Sequence, residues 1–196
     1  MNVITGTPTL IGFAGAARSG KDTAASVLVE RGWQRRAFAD KVRDMLYALD
    51  PVLIDRHDAF GGRGLRELVD AYGWEKVKQV HPEVRGYHQR LGTEGGREVL
   101  GQDVWVDALF RDLDTWRGRP TVVTDVRFPN EAEAIKSRGG LVVLLHRPGQ
   151  LLIDGSDHVS ENALGGWAFD ATVINGGDIG SLRRSVISLT SMSTCD

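Results

Sequence analysis

The chain has one cysteine, no long apolar run and almost no net charge. With Cys195 alone, no intrachain disulfide is possible, which suits a reducing compartment such as the cytoplasm. Cys195 itself reads as a free thiol on a frayed tail. No segment approaches the ~20 apolar residues that a membrane-spanning helix needs. The N-terminus lacks the basic region and apolar core of a secretory signal. A net charge of −2 gives no global attraction to nucleic acid or acidic membranes. Stable nucleic-acid binding and membrane attachment are therefore not expected, and an anionic ligand has to be held by local groups. The five histidines show no metal-ligand spacing with Cys195. What remains is an ordinary composition: 196 residues, 41% hydrophobic and 26% charged. That fits one domain, 1–196, large enough for a substantial core.

The most informative stretch is Gly15-Ala-Ala-Arg18-Ser19-Gly20-Lys21-Asp22-Thr23. It follows the apolar run Leu10 to Ala14 and opens a helical pattern. Strand, glycine loop, lysine and helix together make a phosphate-binding loop. Gly15 and Gly20 let the backbone turn so that several N–H groups face one anion. The helix adds the positive end of its dipole. Lys21 can reach the outer phosphates of ATP or a relative of it. The usual loop ends in Gly-Lys-Ser/Thr, with the hydroxyl on Mg²⁺. Here Asp22 takes that position and Thr23 follows. Either Asp22 serves Mg²⁺ while Thr23 meets an inner phosphate, or Asp22 only favours the first helical turn.

The periodicity predicts strands at 10–14, 33–38, 121–124, 141–145 and 171–175. It predicts helices at 22–31, 40–49, 63–71, 84–91, 103–116, 130–138 and from Ile179 through Leu189. Asp40 and Asn130 read as caps of their helices, and Trp116 reads as core. Residues 55–64 read as loop, and the run from Tyr87 to Arg97 as polar groups on glycine turns. Strands alternating with helices imply a parallel sheet with helices on both faces, and ligands at the carboxyl ends of its strands. The polar stretches 50–102 and 146–169 exceed simple connections and read as substrate-covering segments.

Asp125 follows a strand and should emerge at that ligand edge, where a second Mg²⁺-linked carboxylate is expected. It is alternatively a solvated strand-end group. No glutamate follows it to orient water, which favours transfer to an acceptor over hydrolysis. Arg127 lies near the same edge and can stabilise charge during transfer, or pair with Glu131 or Glu133. Lys41 and Arg43 also fall near it. Gln89 can read a base edge, and Arg97 suits a phosphate through its planar fork. The run His158-Val-Ser-Glu161 lacks the context of a hydrolase triad. With Arg147 upstream, it reads as part of a cover over a triphosphate.

Gly15 to Thr23, Phe38-Ala-Asp-Lys41, Gln89 to Arg97, Thr124-Asp-Val-Arg-Phe-Pro-Asn-Glu131 and His158 to Glu161 together resemble the bacteriophage deoxynucleoside monophosphate kinases. The resemblance implies a three-layer α/β/α fold with a central parallel sheet, a monophosphate-binding region (50–102) and a lid (146–169). It implies transfer of the ATP γ-phosphoryl group to a deoxynucleoside monophosphate with Mg²⁺, in the host bacterial cytoplasm. Lys21, Asp125 and Arg127 would be catalytic. Gly15, Arg18, Ser19, Gly20, Lys21, Asp22, Thr23 and Arg147 would bind ATP, and Asp22, Thr23 and Asp125 would serve the metal. Asp40, Lys41, Gln89, Arg90, Thr93 and Arg97 would line the acceptor site. Kinases of phosphomevalonate or dephospho-coenzyme A type and a regulatory nucleotide-binding module stand as alternatives. A GTPase switch would normally carry an Asn-Lys-x-Asp motif, and the chain has no Asn-Lys pair. Oligomeric state is not encoded legibly.

Overall fold

The computed structural model describes residues 7–54, 62–115, 118–149 and 163–191. Contacts divide the chain into two compact units, residues 1–38 with 110–196, and residues 39–109.

The first unit is built on a five-stranded sheet of β1 (Leu10–Ala14), β2 (Gln34–Arg36), β5 (Thr121–Val123), β6 (Leu141–His146) and β7 (Ala171–Ile174), in the order β2-β5-β1-β6-β7. All of its pairings are parallel. Ile11 of the central strand is in register with Val122 on one side and Leu141 on the other. Side chains alternate across such a sheet. Ile11 and Phe13 therefore join one core with Ala24, Val27 and Leu28 of α1 (Lys21–Val29) and Leu182, Val186 and Leu189 of α8 (Ile179–Leu189). Gly12 faces the other way, against Ile135 of α7 (Pro129–Lys136). Helices thus cover both faces, giving the three-layer arrangement that the strand and helix alternation implies.

Two details correct the sequence pattern here. Ile179 is exposed, because the face α8 turns to the core is made by Leu182, Val186 and Leu189, with Ile187 partly buried beside them. Asn130 does not cap α7: the helix begins at Pro129, and the buried Glu131 carboxylate accepts the Arg127 and Phe128 N–H groups at 2.7 and 3.1 Å. Proline at the first helical position loses nothing by lacking an N–H, and Glu131 satisfies the donors around it. Glu131→Ala leaves those N–H groups without that acceptor. We expect destabilisation of roughly 1–3 kcal/mol, read from denaturant unfolding. Asp178 caps α8, its carboxylate accepting the Ser181 N–H at 2.7 Å, and this bond holds its pKa below the usual carboxylate value.

The second unit holds α2 from Ala39 onward (the helix spans Phe38–Leu49), a short antiparallel pair β3 (Val52–Leu53) and β4 (Arg63–Gly64), then α3 (Leu65–Tyr72), α4 (Trp74–Val80) and α5 (Glu83–Arg90). Its core joins Leu46, Leu53, Leu65, Leu68, Val77 and Val84. Met45 and Leu49 of α2 are exposed, so its apolar face is narrower than the sequence periodicity suggests. Helix α4 has no counterpart in the sequence pattern. Arg63 and Gly64, expected in helix and loop, are instead in β4, and α3 starts after them. The loop expected at 55–64 is described only from Gly62 onward.

The run from Tyr87 to Arg97 is helical, not a set of glycine turns. Helix α5 continues directly into a π-helical segment, Leu91–Glu98. Trp105 of α6 (Val104–Thr115) explains why: its indole Nε1–H donates to the Gly92 carbonyl at 2.8 Å, and its ring lies against Gly96. Glycine there makes room for the ring. Trp116, the tail with Cys195, and most of 146–169 including His158 to Glu161 lie outside the described residues. Among the described residues no helix is long and apolar enough to cross a membrane.

Candidate functional site

In a parallel sheet the carboxyl ends of all strands share one edge. Here that edge carries Gly15 to Gly20 after β1, Asp125 and Arg127 after β5, Arg147 after β6, and Asn175 after β7.

The loop after β1 needs its glycine. Gly15 has φ 136°, and a Cβ there would lie 2.3 Å from the Leu145 carbonyl oxygen of β6. Arg18 also takes a left-handed conformation, φ 61°, and its side chain is exposed. The Ser19 N–H donates to the Ala16 carbonyl at 3.2 Å, closing the turn. Ser19 is buried, and its hydroxyl oxygen has no hydrogen-bond partner among the described residues. A buried hydroxyl of this kind normally finds one, so an anion seated in the loop fits it. Gly20 caps α1 without a side-chain bond, leaving the first N–H groups of that helix for a ligand. The Lys21 ammonium donates to the Gly15 and Ala16 carbonyls, at 2.7 Å each, which folds the charge over the loop.

Asp22 lies in the first turn of α1 with its side chain 86% exposed, 3.8 Å from the Arg35 guanidinium. Thr23 is exposed one residue on. Asp125 is half-buried, and its carboxylate accepts the Phe38 N–H at 2.8 Å. It thereby does for α2 what the sequence assigns to Asp40. Asp40 is inside that helix, in its first turn, with the Arg43 guanidinium 3.4 Å away. The Arg127 side chain is exposed: Glu131 receives the Arg127 backbone N–H, not its guanidinium. Arg147 is exposed directly after β6.

The first unit thus brings together the loop, Lys21, Asp22, Thr23, Asp125, Arg127 and Arg147 along one sheet edge. The expected acceptor residues all lie in the second unit. Lys41 pairs with Asp44 at 3.0 Å. Gln89 and Thr93 are exposed, and the Arg90 guanidinium sits 5.4 Å from the centre of the Tyr87 ring. Arg97 is buried and donates to the Gln102 carbonyl at 3.2 Å. Burial sets Arg97 apart from the exposed Gln89, Arg90 and Thr93.

The sequence pattern reads Asn175 only as the end of a strand. In the structure its side-chain amide touches the phosphate loop, donating to the Ser19 carbonyl at 3.0 Å. A polar residue at the carboxyl end of a strand, on the edge that carries the loop, is the signal that marks it.

Parallel sheet, glycine loop and lysine at the head of a helix define the class, a phosphate-binding-loop α/β protein. No family model matches the chain. It is 28% identical over 194 residues to an Acanthamoeba polyphaga mimivirus protein, described provisionally as a deoxynucleotide monophosphate kinase, covering 91% of this chain and 94% of the relative. It is 32% identical over 81 residues to the deoxynucleoside-5'-monophosphate kinase of Escherichia phage T5, covering 39% of this chain and 32% of that enzyme. Among solved structures it is similar to dephospho-CoA kinase from Campylobacter jejuni, with TM-score 0.43 and 13% identity over 92% of this chain and 94% of that one. It is also similar to TT1252 from Thermus thermophilus, with TM-score 0.46 and 18% identity over 93% and 96%.

Proposed function

We propose that the protein transfers the ATP γ-phosphoryl group to a deoxynucleoside monophosphate, giving ADP and the diphosphate. The phosphate loop carries this reading: a helix start capped by no side chain, a lysine folded over the loop and a buried Ser19 hydroxyl with no partner among the described residues all suit an anion. The acceptor class follows from the two curated relatives, one of them matched along nearly its whole length. The phage T5 relative suits work in a bacterial host's cytoplasm.

Phosphoryl transfer needs in-line placement and charge stabilisation more than covalent chemistry. Backbone N–H groups of 15–21 hold the inner phosphates. The Lys21 ammonium moves from its loop carbonyls onto the transferred group. Arg18, Arg127 and Arg147 add positive charge at the same edge, which suits a donor crowded with negative oxygens. Asp40, Lys41, Gln89, Arg90, Thr93 and Arg97 take the acceptor, with Arg97 on its phosphate.

Asp22, Thr23 and Asp125 offer hard oxygen donors, the kind Mg²⁺ takes. Among the described residues no group of three or more His, Cys, Asp or Glu side chains forms a metal cage. Mg²⁺ in such sites is held by one or two carboxylates plus phosphates and water, so the residues present fit it. When bound, Mg²⁺ neutralises charge on the β- and γ-phosphate oxygens.

The test is a panel of deoxy- and ribonucleoside monophosphates, each mixed with Mg²⁺-ATP, with ADP and diphosphate followed by chromatography. We expect ADP to appear with matching diphosphate. Equal ADP without acceptor would make the protein an ATPase. Transfer to dephospho-coenzyme A or phosphomevalonate alone would move the acceptor class.

A further inference from the structure

We propose that Asn175 is a positioning residue that braces the phosphate loop from the end of β7. Its backbone is fixed first: the Asn175 N–H donates to the His146 carbonyl at 2.7 Å, extending the parallel β6–β7 ladder by one bond. Its side chain then leaves the sheet edge and donates from Nδ2 to the Ser19 carbonyl at 3.0 Å, across 156 residues of sequence. The fit is close. A Cβ on Gly20 would stand 2.3 Å from Nδ2, so the amide fills the space a side chain at 20 would take.

The consequence lies in one peptide plane. In a trans peptide the C=O and the following N–H point in opposite directions. Holding the Ser19 carbonyl toward Asn175 therefore aims the Gly20 N–H away from it. If this plane flipped, a carbonyl oxygen would replace a donor at the head of α1 and repel an anion. Lys21 restrains the Gly15 and Ala16 end of the loop, and Asn175 restrains the Ser19 and Gly20 end. Loop geometry is thus set jointly by β1, which delivers it, and β7, two strands away in the sheet.

The role in catalysis rests on the nucleotide-binding reading, but the brace itself can be measured without nucleotide. Asn175→Asp keeps the shape of the side chain and replaces the donor by a carboxylate oxygen facing a carbonyl. Amide hydrogen exchange of peptides covering 15–21 is measured on the free protein, and ATP affinity by calorimetry. At pH 8 we expect exchange about tenfold faster and ATP bound about tenfold more weakly than in wild type. The defect relative to wild type should shrink as pH falls toward about 5, where a carboxyl facing a carbonyl regains a proton to donate. A residue needed only for packing would show no such recovery. Asn175→Ala serves as the second variant, with the same losses and no pH recovery. Unchanged exchange in both variants overturns the brace, whether or not ATP affinity falls. Faster exchange in a protein whose wild type fails to bind ATP keeps the brace and removes the nucleotide reading.

Discussion

Lys21→Ala is expected to lower the rate of phosphoryl transfer by at least ~10²–10³-fold, the scale seen when one donor to developing charge is removed. The argument is positional. The ammonium is tethered 2.7 Å from each of two loop carbonyls, so it is held beside the loop proposed to take the anion. Moving it onto the γ-phosphoryl group exchanges two neutral acceptors for a strongly charged one. Alanine removes that charge and leaves the carbonyls to water, at about 0.5–1.5 kcal/mol for each bond. The fold should therefore survive while turnover collapses. Steady-state kinetics beside a thermal melt separate the two. A folded Lys21→Ala protein turning over within tenfold of wild type would remove the lysine from the mechanism.

Gly15→Ala should be nearly as damaging for a different reason. The obstacle is not a side chain that can swing aside but the Leu145 carbonyl, 2.3 Å from the new Cβ and part of a buried central strand. At φ 136° the backbone is also in a region that alanine rarely adopts. The loop has to move off β6. Misplacement of about 1 Å lowers transfer by ~10²-fold, and the strain destabilises the protein by roughly 1–3 kcal/mol. Kinetics with varied ATP and denaturant unfolding read the two effects. Wild-type values for both would show that the loop is slack enough to absorb a methyl group.

The parts of the molecule legible in the sequence are those governed by local rules. Leu10 to Ala14 is apolar because β1 is flanked on both sides, and the glycines after it announce the loop. β2 is harder to see. Among the described residues Gln34, Arg35 and Arg36 form an edge strand that pairs with β5 alone, so nothing demands an apolar run. The glycines at 92, 95 and 96 suggest turns until Trp105 supplies a reason for helix that no window around them contains. Asp125 could be placed at the ligand edge, but not matched to the Phe38 N–H, 87 residues away. The capping role of Glu131 escaped because Phe128 stands where a serine or threonine would advertise a capping box.

The strand order also governs how the chain reaches this structure. Leu10 of β1 lies beside Thr121, and Ile11 beside Leu141. During synthesis the central strand therefore emerges long before either neighbour exists. It stays unpaired, with apolar side chains on both faces, until most of the chain has left the ribosome. Pairings this distant in sequence close large loops before they return any energy, which slows folding. The first strand, the one that will carry the phosphate loop, is thus the segment most in need of chaperone cover in the nascent chain.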